Sequence, residues 1–130
     1  MSGPYLGLDI GLKRTGTSLS ESGITARPLK IVESAYPHLE PLYTGIISLY
    51  TLHSPTTLII GLPNHADGSQ SPQAHRVIEI SEELQRRLPA VAVVYWDEHG
   101  STKAAKKEYP DLDDNLGAAT LILQEYLDSL

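Results

Sequence analysis

The stretch Tyr5-Leu6-Gly7-Leu8-Asp9-Ile10-Gly11-Leu12-Lys13-Arg14-Thr15-Gly16-Thr17-Ser18-Leu19-Ser20 decides the fold. Tyr5 to Asp9 is a short, largely apolar run ended by Gly11, and Thr15 to Ser20 carries the small and β-branched residues of a neighbouring strand, so the two read as a hairpin. A polar turn at Glu21 to Gly23 leads into Thr25 to Val32, where Pro28 removes a ladder donor and predicts a third strand at or near an edge. The first third of the chain reads as an antiparallel meander.

Further along, the pattern changes. From Pro37 to Leu52 apolar residues recur at helical spacing, although Gly45 interrupts them, and Thr57 to Ile60 is a continuous apolar run closed by Gly61 and Pro63, as in a strand buried on both faces. Pro72 to Leu88 places Val77, Ile80, Leu84 and Leu88 on one side of a helix, and Val91 to Trp96 is a second fully apolar strand. Helices are predicted from about Ser101 to Lys107 and from about Asp114 to Leu127, and Asn64 to Pro72 reads as a mobile surface loop. Strands that alternate with helices imply parallel β-α-β units. The expected architecture is α/β, with three antiparallel strands joined to two parallel ones in a five-stranded mixed sheet flanked by helices.

With 130 residues the chain has room for one domain, and 41% hydrophobic against 20% charged residues is ordinary globular usage. The longest apolar runs are far below the ~20 residues that span a bilayer, and no basic stretch leads into an apolar one at the N-terminus. Zero cysteines exclude disulfides, thiolate metal sites and a thiol nucleophile. A cytoplasmic protein without membrane contact is expected. The net charge of −6 argues against a uniformly basic nucleic-acid surface, yet residues 1–107 hold all 10 Lys and Arg against 10 acids, and the last 23 residues carry the whole excess. Basic patches near Lys13 and Arg14, or from Lys103 to Lys107, are compatible with that distribution.

Ligands of open α/β sheets bind beyond the carboxyl ends of the parallel strands, so polar residues that interrupt apolar strands there are the first candidates for chemistry. Asp9 interrupts the first strand, and Asp97 with Glu98 closes the last one directly after Trp96. Two carboxylates brought within a few Å repel each other unless a cation sits between them, and hard divalent ions such as Mg²⁺ or Mn²⁺ take such oxygen ligands. The structural alternative is capping: Asp9 in a turn or paired with Lys13 or Arg14, Asp97 at the start of the next helix.

Gly7-Leu8-Asp9-Ile10-Gly11-Leu12-Lys13-Arg14-Thr15-Gly16 resembles the opening of the YqgF family, also called RuvX, of Holliday junction resolvases and pre-16S ribosomal RNA nucleases. Gly23-Ile24-Thr25-Ala26-Arg27-Pro28-Leu29, Gly61-Leu62-Pro63-Asn64 through Asp67-Gly68, Trp96-Asp97-Glu98, and Ala118 through Leu127 are similar to later blocks of that family, in order over nearly the whole length. The resemblance implies a single ribonuclease H-like nuclease domain over residues 1–130. It also implies a site of three acids for Mg²⁺ or Mn²⁺, and a substrate of structured nucleic acid: branched DNA such as a four-way junction, precursor 16S rRNA, or both.

Carried over by position, Asp9 matches the first-strand acid and Glu98 the catalytic acid of the doublet. The family's helix acid falls on Asn115, a neutral side chain, with Asp114 one residue earlier and about 100° around the helix. The expected catalytic set is Asp9, Glu98 and Asp114, and the expected metal ligands are Asp9 and Glu98 with the shell completed by Asp114 or Asn115. His99 stands where the family usually has Arg, and the segment from Lys107 to Asp114 is shorter and more acidic than in relatives. Within this scheme Lys13 and Arg14, in a hairpin turn after the first acid, are expected to hold phosphate, Arg14 in bidentate fashion. Ser101 and Thr102 begin a helix, where capping competes with phosphate binding, and His99 and Asn64 are further candidates for nucleic-acid contact. Because a four-way junction is two-fold symmetric, a homodimer is expected. The apolar face of Pro37 to Leu52 is a candidate interface that core burial explains equally well.

Two rival readings belong to other classes. Asp9-Ile10-Gly11 with Gly16 also resembles the first phosphate loop of sugar kinases and actin-like ATPases, but 130 residues supply only one of their two lobes. Asn115 and the acidic C-terminal segment suggest instead a catalytically weak RNA- or protein-binding module in ribosome maturation.

Overall fold

A computed structural model of the chain describes residues 3–64, 67, 69–98 and 101–130, with the side chains of 101–103 outside the description. The chain first reverses at Gly11, whose amide donates to the Arg14 carbonyl at 3.1 Å. The apolar runs on either side pair antiparallel as β1 (Tyr5–Ile10) and β2 (Arg14–Ser20), and β2 pairs antiparallel in turn with β3 (Arg27–Glu33). β3 is an edge strand, as Pro28 predicts, and the ladder to β2 shifts register between Gly16 and Ser18.

Helix α1 (Glu40–His53) starts three residues later than its apolar spacing suggests. Residues Ser34 to Leu39 fold into a turn in which the His38 amide donates to Ala35 and the Ser34 hydroxyl to the His38 carbonyl. β4 (Thr57–Leu62) extends through Gly61, two residues past the expected end. Helix α2 (Pro72–Arg87) is capped by the Ser71 hydroxyl, which accepts from the Ala74 amide at 3.0 Å, with Pro72 in the first turn and Arg86 and Arg87 in the last. Then come β5 (Ala92–Asp97), α3 (Ser101–Glu108) and α4 (Asp114–Asp128). Among the described residues no helix is long and apolar enough to cross a membrane.

The sheet order is β3-β2-β1-β4-β5, with β1, β4 and β5 parallel. Alternation along the strands sorts side chains onto two faces. Leu6, Leu8 and Ile10 of β1, Leu58, Ile60 and Leu62 of β4, and Val93 of β5 pack with α1 and α2 in the larger core. Tyr5, Ile59, Val94 and Trp96 pack with Ile122, Leu123, Tyr126 and Leu127 of α4 on the other face. Leu42, Tyr43, Ile46 and Leu49, considered above as an interface, are buried in the first core. β5, although fully apolar up to Trp96, is the second edge strand, and Tyr95 remains 39% exposed.

Helix α4 lies directly on the backbone of β1 and β2. A Cβ at Gly16 would stand 2.0 Å from the Asn115 carbonyl oxygen and 2.3 Å from its carbon, so the strand approaches the helix only because it has no side chain there. Gly16→Ala must lift the first turn of α4, since neither backbone can yield locally. The expected result is a loss of roughly 2–3 kcal/mol, the upper range for overpacking, read as a lower urea midpoint; an unchanged midpoint would show that α4 does not depend on this contact.

Candidate active site

Strand parity decides which acids meet. Asp9 lies on the α4 face of β1, between Leu8 and Ile10 of the opposite face. On β5, Val94 and Trp96 face α4, so the alternation continues to Glu98 and sends Asp97 to the α2 side. Leu8 pairs with Ile60 and Gly61 pairs with Trp96, which brings the carboxyl ends of the three parallel strands together with β4 in the middle. Gly61 makes the crossing possible. A Cβ there would sit 2.8 Å from Glu98 Oε2, so the Glu98 carboxylate occupies the space above β4 that a side chain would fill.

Asn115, in the first turn of α4, completes the cluster and donates its side-chain amide to Asp9 Oδ2 at 3.4 Å. Its place is set by the cap of the helix: Asp113 Oδ1 accepts from the Asn115 amide at 2.8 Å, and Asp113 Oδ2 is held by Arg14 Nη2 at 3.0 Å. Asp114, expected to act with Asp9 and Glu98, is turned away. Its carboxylate lies 3.3 Å from Lys106 Nζ on α3 and its side chain is 54% exposed, as a step of about 100° around a regular helix requires. Arg14, expected on phosphate, pairs with Asp113 while its side chain stays 46% exposed. Lys13 is exposed at the tip of the hairpin turn.

Asn64 lies beside Glu98, because the backbone amides of both donate to the Leu62 carbonyl, at 2.9 and 3.2 Å. Its side-chain Oδ1 is buried and has no hydrogen-bond partner among the described residues. His99, and the side chains of Ser101 and Thr102, lie outside the described residues. Two contributors escaped the reading of the sequence. Gly61 reads in the sequence as the close of a strand, although a glycine inside an apolar run also signals a close approach. Asp113 was passed over, although an acid just before a helix is a capping signal.

Electrostatics set this cluster apart from the rest of the molecule. Burial raises the Asp9 carboxyl to about 6, against a smaller lowering by the Asn115 hydrogen bond. Burial, then the charge of Asp9, then that of Asp97 push Glu98 up to about 8. Two carboxyls that resist ionisation because they are buried and face each other form a site short of positive charge. Hard oxygen donors are present in two carboxylates, an adjoining side-chain amide and the unsatisfied Asn64 Oδ1, a set that fits Mg²⁺ or Mn²⁺. Among the described residues, no group of three or more Asp, Glu or His side chains is placed to hold a metal ion.

The raised carboxyls make a pH prediction for the metal-free protein. A group that holds its proton more tightly when folded contributes stability that is present below its unfolded value, near 4.5 for Glu98, and lost as pH rises through about 8. In the presence of a chelator, the wild-type Tm is expected to fall by about 5 °C or more across that window, with a smaller fall for Glu98→Gln. A wild-type Tm that is flat or rises across the window would contradict the buried pair.

The comparisons with known proteins agree with this geometry. Residues 3–129 match the family model described as RuvX, Holliday junction resolvase. A protein of Halalkalibacterium halodurans named as a candidate pre-16S rRNA nuclease is 36% identical over 134 residues, covering 95% of this chain and 94% of the relative. One of the same name from Staphylococcus carnosus is 33% identical over 135 residues, covering 96% and 95%. Among solved structures, T. thermophilus RuvC in complex with a Holliday junction substrate superposes with a TM-score of 0.66 at 15% identity, covering 96% of this chain and 94% of that one. The yeast mitochondrial Holliday junction resolvase Ydc2 gives 0.58 at 8% identity, covering 97% and 78%. At such identities the structural likeness speaks for the fold, and the family assignment rests on the sequence matches. Sheet order, strand-end acids and full-length similarity agree: the chain belongs to the RuvX family of Holliday junction resolvases, nucleases with the ribonuclease H-like fold of RuvC.

Proposed function

We propose that this protein is a divalent-metal-dependent endonuclease that hydrolyses phosphodiester bonds in structured nucleic acid, with Asp9 and Glu98 as the catalytic pair. The observation that carries the reading is the burial of these two carboxyls on one face of the sheet, each raised by its surroundings. An acid pair so placed repels a phosphate unless a cation stands with it. Asp9, Glu98 and the side chain of Asn115 would hold Mg²⁺ or Mn²⁺; a hard ion there supplies positive charge to the phosphate and makes water more acidic.

The remaining residues position. Asn115 braces Asp9 through its amide, and Arg14 acts through Asp113 by holding the turn that carries Asn115. Lys13, exposed three residues beyond Ile10, is the cation placed for a flanking phosphate. The names of the relatives favour precursor 16S rRNA as substrate and the description of the family favours a four-way junction; both are cytoplasmic nucleic acids. Paired cuts across a junction need two copies of the site, so the proposal includes a dimer on that substrate. One observation favours the second reading, a catalytically weak binding module: the side chain that meets Asp9 from α4 is an amide and not an acid.

One assay separates the two. Wild type, Asp9→Asn, Glu98→Gln and Asp114→Asn are compared on a four-way junction, a linear duplex and precursor 16S rRNA with Mg²⁺ and with Mn²⁺. Cleavage by wild type is expected to fall roughly a hundredfold or more in the first two variants. Asp114→Asn is expected to stay within about threefold, since it breaks only an exposed ion pair. Binding without cleavage by wild type would favour the module, and equal cleavage by wild type and Glu98→Gln would remove Glu98 from the site.

A further inference from the structure

Three segments meet beyond the carboxyl end of β1, the strand that carries Asp9. The Tyr36 amide donates to the Leu12 carbonyl at 2.7 Å and the Ser34 amide to the Lys13 carbonyl at 2.9 Å, which ties the loop between β3 and α1 to the hairpin turn. The Gln73 side chain on α2 reaches the Ile10 carbonyl at 3.4 Å and accepts from Arg76 Nε at 3.1 Å. The Arg76 guanidinium in turn lies 5.7 Å from the centre of the Tyr36 ring. Tyr36 is 45% exposed and Leu12 49%, on two segments joined through their backbones. Beside them opens a groove of ≈ 360 Å³ whose lining includes Tyr36, Tyr43 and Arg76 and also the acids Glu79 and Glu83.

We propose that Tyr36, with Leu12 at its edge and Lys13 and Arg76 beside it, is a stacking shelf for an unpaired nucleobase next to the phosphate presented to Asp9 and Glu98. This deepens the nuclease reading and rests on it for the identity of the ligand. The chemistry is that of single-strand recognition: an aromatic face takes the base, and flanking cations take the backbone. Arg76 over the ring orients it and adds cation–π attraction. Lys13 follows Leu12 in the chain and is exposed. Leu12, at the edge of the shelf, is only three residues from Asp9, which sets an upper limit of about 11 Å between their Cα atoms, and the Tyr36 backbone is joined to Leu12. The shelf therefore selects substrates in which duplex gives way to single strand at the cleaved bond, as at a branch point or at the unpaired end of a precursor.

The test measures binding and stacking apart from cleavage. Glu98→Gln serves as the background so that substrate stays intact in Mg²⁺, and Tyr36→Leu and Tyr36→Phe are added to it. Each protein is titrated against a blunt RNA duplex and against the same duplex with a single-stranded tail carrying 2-aminopurine at its first unpaired position. The expected result is that Tyr36→Leu weakens binding of the tailed duplex about tenfold, leaves the blunt duplex unchanged, and abolishes the quenching of 2-aminopurine, while Tyr36→Phe retains both. Equal affinity ratios and equal quenching for Tyr36→Leu and its parent would overturn the shelf, as would a loss in Tyr36→Phe as large as in Tyr36→Leu. Cleavage by the otherwise wild-type protein reports separately on the nuclease reading: cleavage without quenching overturns the shelf alone, and quenching without cleavage upholds the shelf while overturning the endonuclease.

Discussion

The site depends on how closely α4 can approach the sheet. Gly7 and Gly16 leave bare backbone where the helix crosses β1 and β2, and the Ser18 hydroxyl donates to the Ala119 carbonyl at 2.7 Å across that contact. Close packing leaves a helix so seated little freedom to rotate or slide. The first turn of α4 is therefore delivered to Asp9 in one orientation, with Asn115 toward the strand end and Asp114 toward Lys106. The Arg14–Asp113 pair reinforces this from outside, although an ion pair with side chains 46% and 30% exposed contributes little by itself. Its role is geometric, since it joins the hairpin turn to the helix cap.

Within that frame the acids occupy a position that costs stability. Glu98 lies over Gly61, near enough to Asp9 for the two charges to oppose one another, and the protein has placed an amide where a third carboxylate would have added to the strain. Conflict of this kind between local electrostatics and folding is a mark of function. The same end of the sheet carries the joined loops at Leu12, Tyr36 and Gln73.

Much of this was legible without coordinates. The apolar runs of β1, β4 and β5, the helical spacing of α2, and Pro28 as an edge marker all carried through, because each is a local pattern with a direct backbone cause. Element ends were less readable. α1 begins at Glu40 because a turn through Ala35 and His38 takes the preceding residues, and β4 runs through Gly61 because its ladder with β5 continues there, Gly61 opposite Trp96 and Leu62 opposite Asp97. Arg14 read as a phosphate ligand because its partner Asp113 is 99 residues away, and the apolar side of α1 read equally well as interface or core until burial chose the core.

The sequence by itself determined the order of the elements, the mixed sheet, the two acids at strand ends and the absence of a carboxylate at position 115, since composition and periodicity act over a few residues at a time. The tertiary structure alone decided that Glu98 rather than Asp97 faces Asp9, that Asn115 rather than Asp114 joins them, and that Tyr36 stands at the rim. These depend on strand register and on the rotation of α4 about its axis. Both are set by contacts between residues some 50 to 100 positions apart, such as Tyr5 with Thr57 and Ser18 with Ala119, and a one-residue shift in either would exchange each side chain for its neighbour.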